Sequence, residues 1–306
     1  MLTSQQWSKS LISITHPTSN TLTAHFSDLT SCTGTLLIGA DGVHSITRSL
    51  LSPSASPTLT ANIPLPVRLL GVSVLHPPSL ALKLRALDPF FFQGGDPATN
   101  VFMYFSFQDT PSNNTRLAPL DDTYECQVIF SWPFRAGFLD EKEPTEVPKT
   151  DHERVGLMKR IAAGWAEPFR ECVLSIPGDA EVKTIRLEDW VPRQGAWDGQ
   201  GKATLVGDAA HAMTMYRGEA ANHGVLDVEV LLGHICPAIT RGDADGHAQS
   251  HGEGLGGAIA AYEEEMIRRT APAVLTSRRA CLDAHDYKRI GEESPLVNKR
   301  VRATEE

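Results

Sequence analysis

The run Gly201-Lys202-Ala203-Thr204-Leu205-Val206-Gly207-Asp208-Ala209-Ala210-His211 constrains this chain more than any other. An apolar strand, Ala203 to Val206, stops at Gly-Asp, and two alanines follow at once. Small residues let the backbone approach another body closely, because no Cβ bulk stands off the surface. A carboxylate at the C-terminal end of a strand can accept hydrogen bonds from sugar-type hydroxyls. A helix opening after it offers unpaired N–H groups to a phosphate. The chain continues through the loop Met213 to Gly218 into a second helix, predicted over Glu219 to Ile235. Its apolar positions Ala221, Val225, Val228, Leu232 and Ile235 step by four and three, so they share one face, which is expected to pack on the sheet. The positive end of that helix can stabilise negative charge on a ligand ring.

A second constellation lies upstream. The apolar run Thr35 to Ile38 leads into Gly39-Ala40-Asp41-Gly42-Val43-His44-Ser45-Ile46-Thr47-Arg48, and residues 43 to 51 are predicted as a short helix. A helix starting at Gly42 puts Ser45 and Arg48 on the side of Asp41, so Arg48 is expected to brace that turn. Residues 11 to 26 give two strands around the turn His16-Pro17-Thr18-Ser19-Asn20, a hairpin signal. The texture then changes. Val67 to Leu75, Val101 to Phe107 and Tyr124 to Trp132 are β-rich, and in the last of these Cys126, Val128, Phe130 and Trp132 alternate, as in a strand with one buried face. Residues 151 to 175 have a helical pattern. The Gly-, Asp- and His-rich residues 241 to 257 are expected to form a flexible surface insertion, and Pro272 to kink or end the helix that follows.

Taken together, Gly207-Asp208-Ala209-Ala210-His211 through Asp227, and Gly39 to Arg48, resemble the two later flavin-binding signatures of the class A FAD-dependent monooxygenases. The likeness is to aromatic hydroxylases of the salicylate-hydroxylase-like, fungal type. The two motifs stand in family order, flanking a β-rich block. The resemblance implies an α/β fold, in part α+β: an incomplete FAD-binding Rossmann-like domain with an inserted mixed β-sheet substrate domain. Residues 1–60 would then be the middle part of the FAD-binding domain, 61–194 the substrate-domain sheet with helices, 195–290 the C-terminal part of the FAD-binding domain, and 291–306 a charged tail.

The resemblance also implies site residues. Asp208, with Gly207, would hold the ribityl or pyrophosphate region of FAD. Gly218, Ala221 and Asn222 would lie against the pyrimidine edge of the flavin, and Asp41, with Arg48 behind it, near the pyrophosphate. NADH or NADPH would reduce the cofactor, and one atom of O₂ would pass to a small organic substrate by hydroxylation or epoxidation. The substrate cavity is expected between the β-rich block and the loop Met213 to Gly218. No side chain is singled out as catalytic, and no metal is required.

The sequence departs from the family in three places. The strand–GxGxxG–helix unit that opens the family does not precede Met1, which implies an N-terminally truncated form that binds FAD weakly; the alternative is a non-catalytic fragment or pseudoenzyme. Gly252-Glu253-Gly254-Leu255-Gly256-Gly257 matches the spacing, but polar residues precede it where a strand is needed. Met215 stands where a proline is usual, and Ala220 where a glycine is usual; a Cβ at a positive φ would cost roughly 1–2 kcal/mol.

Composition closes off other classes. A net charge of -9 argues against nucleic-acid and anionic-membrane partners, because phosphates would be repelled. No run reaches the roughly 18 apolar residues of a membrane span. Five widely spaced cysteines, an odd number without a CxxC pair, read as reduced thiols in a cytoplasmic protein. Asp208 with His211 has no third metal ligand at a usual spacing, and Asp243, Asp245, His247 and His251 read as a solvated loop. Arg268, Arg269, Arg278 and Arg279 read as solvated helix faces. Phe90, Phe91 and Phe92 suit core packing better than a substrate pocket. Nothing in the sequence fixes the oligomeric state.

Overall fold

A computed structural model describes residues 5–18, 20–52, 59–113, 122–245 and 250–298. The group Asp243, Asp245, His247 and His251 lies outside the described side chains. Two compact units emerge, Met1–Ile63 with Glu188–Arg279, and Pro64–Leu187 with Ala280–Glu306.

The chain enters the first unit with strands β1 (Leu11–Thr18), β2 (Thr21–Phe26) and β3 (Ser31–Gly34), which form an antiparallel sheet in that order. The hairpin predicted over residues 11–26 is present, with β1 running on through His16 to Thr18, so the turn is shorter than expected. Strand β4 (Leu37–Gly39) and helix α1 (Ile46–Leu51) follow, and Ser45 caps α1 by accepting the Arg48 N–H at 2.9 Å. The short strand β5 (Ile63–Pro64) closes this part.

The second unit is built on β6 (Val67–His76), α2 (Pro78–Arg85), β7 (Phe91–Gly95), β8 (Phe102–Asp109), β9 (Tyr124–Pro133), α3 (Asp151–Ala162), α4 (Phe169–Leu174) and β10 (Val182–Thr184). The sheet order is β10-β6-β9-β8-β7, and every adjacent pair is antiparallel. Alternation decides what this sheet buries. Cys126, Val128, Phe130 and Trp132 of β9 share one face with Leu70, Val72 and Val74 of β6, and α3 and α4 cover that face with Met158, Ile161 and Val173. Thr150 and Glu153 form a reciprocal capping box that starts α3. Phe92 stacks on Phe105 in this core, whereas Phe90 and Phe91 are exposed.

The chain returns to the first unit through β11 (Glu188–Asp189), which pairs with β5, and β12 (Ala203–Leu205), which pairs parallel with β4. Helices α5 (Asp208–His211), α6 (Ala220–Asp245) and α7 (Ser250–Ala284) complete it. Three expectations fail here. First, α6 runs ten residues past Ile235, and α7 is already helical at Ser250, so the described ends of the 241–257 stretch are helix and not a surface insertion. The GxGxxG match lies inside α7, and among the described residues helix α6, not a strand, precedes it. Second, of the two readings at Pro272 the ending fails, because Pro272 lies within α7. Tyr262, Met266 and Val274 are buried on either side of it, and that burial outweighs one lost backbone bond.

Third, most of the predicted apolar stripe of α6 faces solvent, Ile235 excepted. Val225 is 71 % exposed and Leu232 49 %, while Asp227, Leu231 and Ile235 are buried. Gly224 passes close to Gly207: an added Cβ would sit at ordinary contact distance, 3.6 Å, from the Gly207 Cα. The buried Asp227 carboxylate, together with Leu231 and Ile235 in the core, orients this helix.

Candidate functional site

The parallel pairing of β4 and β12 puts Leu37 beside Ala203, Ile38 beside Thr204 and Gly39 beside Leu205, and the Val206 N–H donates to the Gly39 carbonyl at 2.9 Å. Both strands therefore end at one edge. The segments Gly39–Arg48 and Gly207–His211, more than 150 residues apart in sequence, leave the sheet side by side. Gly39 is obligatory for this pairing, because a Cβ there would lie 2.7 Å from Thr47 Cγ2 and 2.8 Å from Leu205 Cδ2.

Asp41 spends its carboxylate on its own loop. It accepts from Ser45 Oγ at 2.5 Å, the Thr47 N–H at 2.8 Å and Thr47 Oγ1 at 3.0 Å. Burial opposes its ionisation, but these hydrogen bonds outweigh burial and hold the carboxyl below the usual range. Gly42 turns the loop at φ 78°.

Arg48 lies in the interior, 2 % exposed, and it welds the two segments together. Nη1 donates to the carbonyl of Ala209 at 3.0 Å, Nη2 to the carbonyl of Val43 at 2.8 Å and to Asn62, and Nε to the carbonyl of Thr60 at 3.2 Å. Its guanidinium lies 4.5 Å from the centre of the Trp190 ring. Burial lowers its pKa, against the attraction of Asp41 and Glu188.

Gly207 adopts φ 60°, ψ −142°, a conformation open to glycine, and an added Cβ there would meet nothing within 4 Å. The turn is thus a shallow cradle open on one side. Asp208 opens α5 from this cradle. Its half-buried carboxylate has no hydrogen-bond partner among the described residues, and burial raises its pKa, against the field of His211. His211 is buried on the inner side, with Nε2 2.6 Å from Asp227.

Gly218 ends the following loop in the left-handed region, φ 60°. Ala220 then starts α6 without a positive φ, so the Cβ that replaces a usual glycine carries no strain. Ala221 and Asn222 are exposed in the first turn, where backbone N–H groups lack helical partners. Met215 is 39 % exposed on the loop, between the buried Thr214 and Tyr216.

Helix α7 supplies residues the sequence did not reveal. Tyr262 donates to the Leu205 carbonyl at 2.8 Å, and Glu263 accepts from Thr204 Oγ1 and Trp197 Nε1, each at 2.8 Å. Arg269 donates to Asp227 at 2.5 Å, Ser277 bonds Thr214, and Arg278 makes a two-pronged pair with the buried Asp189. Arg269 and Arg278 are therefore not solvated faces; Arg268 and Arg279 are exposed. One signal was available for Asp227: an acid inside the largely apolar run Val225 to Leu232, which it shares with Glu229, needs a partner where the helix is buried.

Two parallel strands ending in Asp-Gly and Gly-Asp turns, with an antiparallel sheet inserted between them, define an FAD-dependent hydroxylase fold. The chain superposes on Klebsiella pneumoniae HpxO complexed with FAD and uric acid (TM-score 0.63, 18 % identity, 94 % of this chain and 60 % of that one). It likewise superposes on 2,6-dihydroxypyridine-3-hydroxylase of Arthrobacter nicotinovorans (TM-score 0.65, 15 % identity, 98 % of this chain and 70 % of that one). In sequence it is 51 % identical to a protein of Arthroderma benhamiae named "Probable FAD-dependent monooxygenase", over 96 % of this chain and 67 % of that protein. It is 41 % identical to the FAD-dependent monooxygenase dbaB of Emericella nidulans, over 74 % of this chain and 57 % of that protein. The chain belongs to the FAD-dependent monooxygenases. It spans 56–67 % of the length of the first three curated relatives it matches. No family model matches it. Among the described residues no helix is long and apolar enough to cross a membrane.

Proposed function

We propose that this chain holds FAD in an NAD(P)H- and O₂-dependent monooxygenase that hydroxylates or epoxidises a small organic substrate. The observation that carries the reading is the Asp208 carboxylate: half-buried, without a hydrogen-bond partner among the described residues, and set beside the open Gly207 cradle. An unpaired desolvated acceptor is unfavourable unless a ligand supplies donors. A ribityl or ribose chain supplies hydroxyl donors, so the residues present fit the cofactor. Bound FAD supplies the redox chemistry that passes one oxygen atom to the substrate.

Gly207 admits the cofactor's close approach, and Asp208 accepts from its hydroxyls. Gly218 turns the chain so that the first-turn N–H groups at Ala221 and Asn222 can face negative charge on the flavin's pyrimidine edge. Asp41 and Arg48 contribute by shaping: Asp41 through the Ser45 and Thr47 bonds, Arg48 by tying Val43 to Ala209. We place the protein in a reducing, cytoplasmic setting, where cysteines that form no disulfide, as here, are usual.

Titration with FAD, followed by flavin fluorescence, tests the reading. Saturable quenching is expected, with Asp208→Ala weakening the affinity at least about tenfold, the effect of losing hydrogen bonds to a charged group. Equal affinities for the two proteins, or no uptake by the unsubstituted chain, would overturn it.

A further inference from the structure

We propose that Asp227 is a positioning residue that fixes the Gly207-Asp208 turn, an inference whose cofactor arm rests on the FAD reading above. One oxygen of Asp227, Oδ2, accepts from the Gly207 N–H at 2.7 Å and lies 2.6 Å from His211 Nε2. Gly207 is the N-cap of α5 and His211 its last residue. A single atom therefore clamps both ends of a one-turn helix, and Asp208, Ala209 and Ala210 are held between the clamped ends.

A turn this short cannot hold its shape alone, because helix nucleation fixes several residues for very few hydrogen bonds. The Gly207 backbone adds nothing, being free to adopt other conformations. The order must come from outside α5, and Asp227 is placed to impose it. The side chain is fully buried, and the passage of Gly224 against Gly207 brings α6 near enough for it to reach.

The carboxylate is itself held. Oδ1 accepts from Arg269 of α7 at 2.5 Å, and Arg269 also lies 2.9 Å from His223 Nδ1. Burial opposes ionisation of Asp227, but His211, the Gly207 N–H and Arg269 outweigh it and keep the carboxyl below its usual range. His211 Nδ1 is buried without a partner, which fits a neutral ring donating from Nε2. Asp227 thus links the turn to α7 through its ion pair with Arg269.

The test compares Asp227→Ala with Val72→Ala, a core truncation in the other unit, chosen as a control for general destabilisation. Hydrogen exchange over residues 207–211 should quicken at least about tenfold in D227A beyond any change in V72A. The FAD dissociation constant should rise about tenfold or more in D227A and stay unchanged in V72A. Should D227A fold poorly, the double variant D227L/R269M replaces the buried pair with apolar side chains, preserves folding and still removes the acceptor. Exchange over 207–211 no faster than in V72A would overturn the proposal, as would an FAD affinity shifted no more than in V72A. If the unsubstituted chain takes up no FAD, the flavin reading fails, and the exchange result alone decides the role of Asp227.

Discussion

Ser277 and Thr214 each bond the other's backbone: Ser277 Oγ donates to the Thr214 carbonyl at 2.7 Å, and Thr214 Oγ1 to the Ser277 carbonyl at 2.9 Å. Both residues are buried. The loop Met213 to Gly218 is thereby pinned to α7 one residue before Met215 emerges. Ser277→Ala leaves the Thr214 carbonyl without its donor and should cost about 1–3 kcal/mol. Urea unfolding checks the size, and limited proteolysis should show faster cleavage within residues 213–218.

Arg48 tests the weld between the two motifs. Arg48→Ala takes its donors from the carbonyls of Thr60 and Ala209, leaves the Val43 carbonyl to Asn62, and empties a site against Trp190. A loss of about 3–5 kcal/mol is expected, the range for removing one member of a buried polar network. Arg48→Lys should restore less than half, since an ammonium cannot reproduce the fork. Denaturant midpoints of the three proteins decide this.

The pH dependence of stability should follow His76 and His285, both brought down to about 4 by burial. Their folded values lie below the unfolded value of 6.5, so the unfolded chain takes up protons first. Their contribution is complete above pH 6.5 and is lost as pH falls toward 4, by about 3 kcal/mol per ring at most. Unfolding free energies measured from pH 7 to 4 should fall in that window and flatten below it. His285→Gln, which can still reach Ser131, should lessen the slope.

The exposed stripe of α6 gives the opposite expectation to its hydrophobicity. Val225 and Leu232 are largely in water, so Val225→Glu and Leu232→Glu should each change stability by less than about 0.5 kcal/mol. Ile235→Glu, on the buried side, should unfold the first unit. Circular dichroism melts of the three variants would show whether the helix is turned as described.

Much of the architecture was written locally. The hairpin at residues 11–26, the strands at 67–76, 102–109 and 124–133, and the capped helix at 151 carry their own turn residues, alternation and caps. The strand ending in Gly207-Asp208 was legible for the same reason: small residues and an acid at a strand end restrict what can follow. What the sequence by itself determined is therefore the set of elements and the chemistry at the two turns. Tertiary structure alone decided which face of α6 is buried and what α7 is for. Hydrophobic periodicity favoured Val225 and Leu232, but a buried ion pair across two helices can outrank a few exposed methyl groups, and no local pattern shows that Arg269 lies opposite Asp227. The same holds for Tyr262 under Leu205 and Ser277 under Thr214. Such bonds join residues 57 and 63 positions apart, and only packing sets which donor meets which carbonyl.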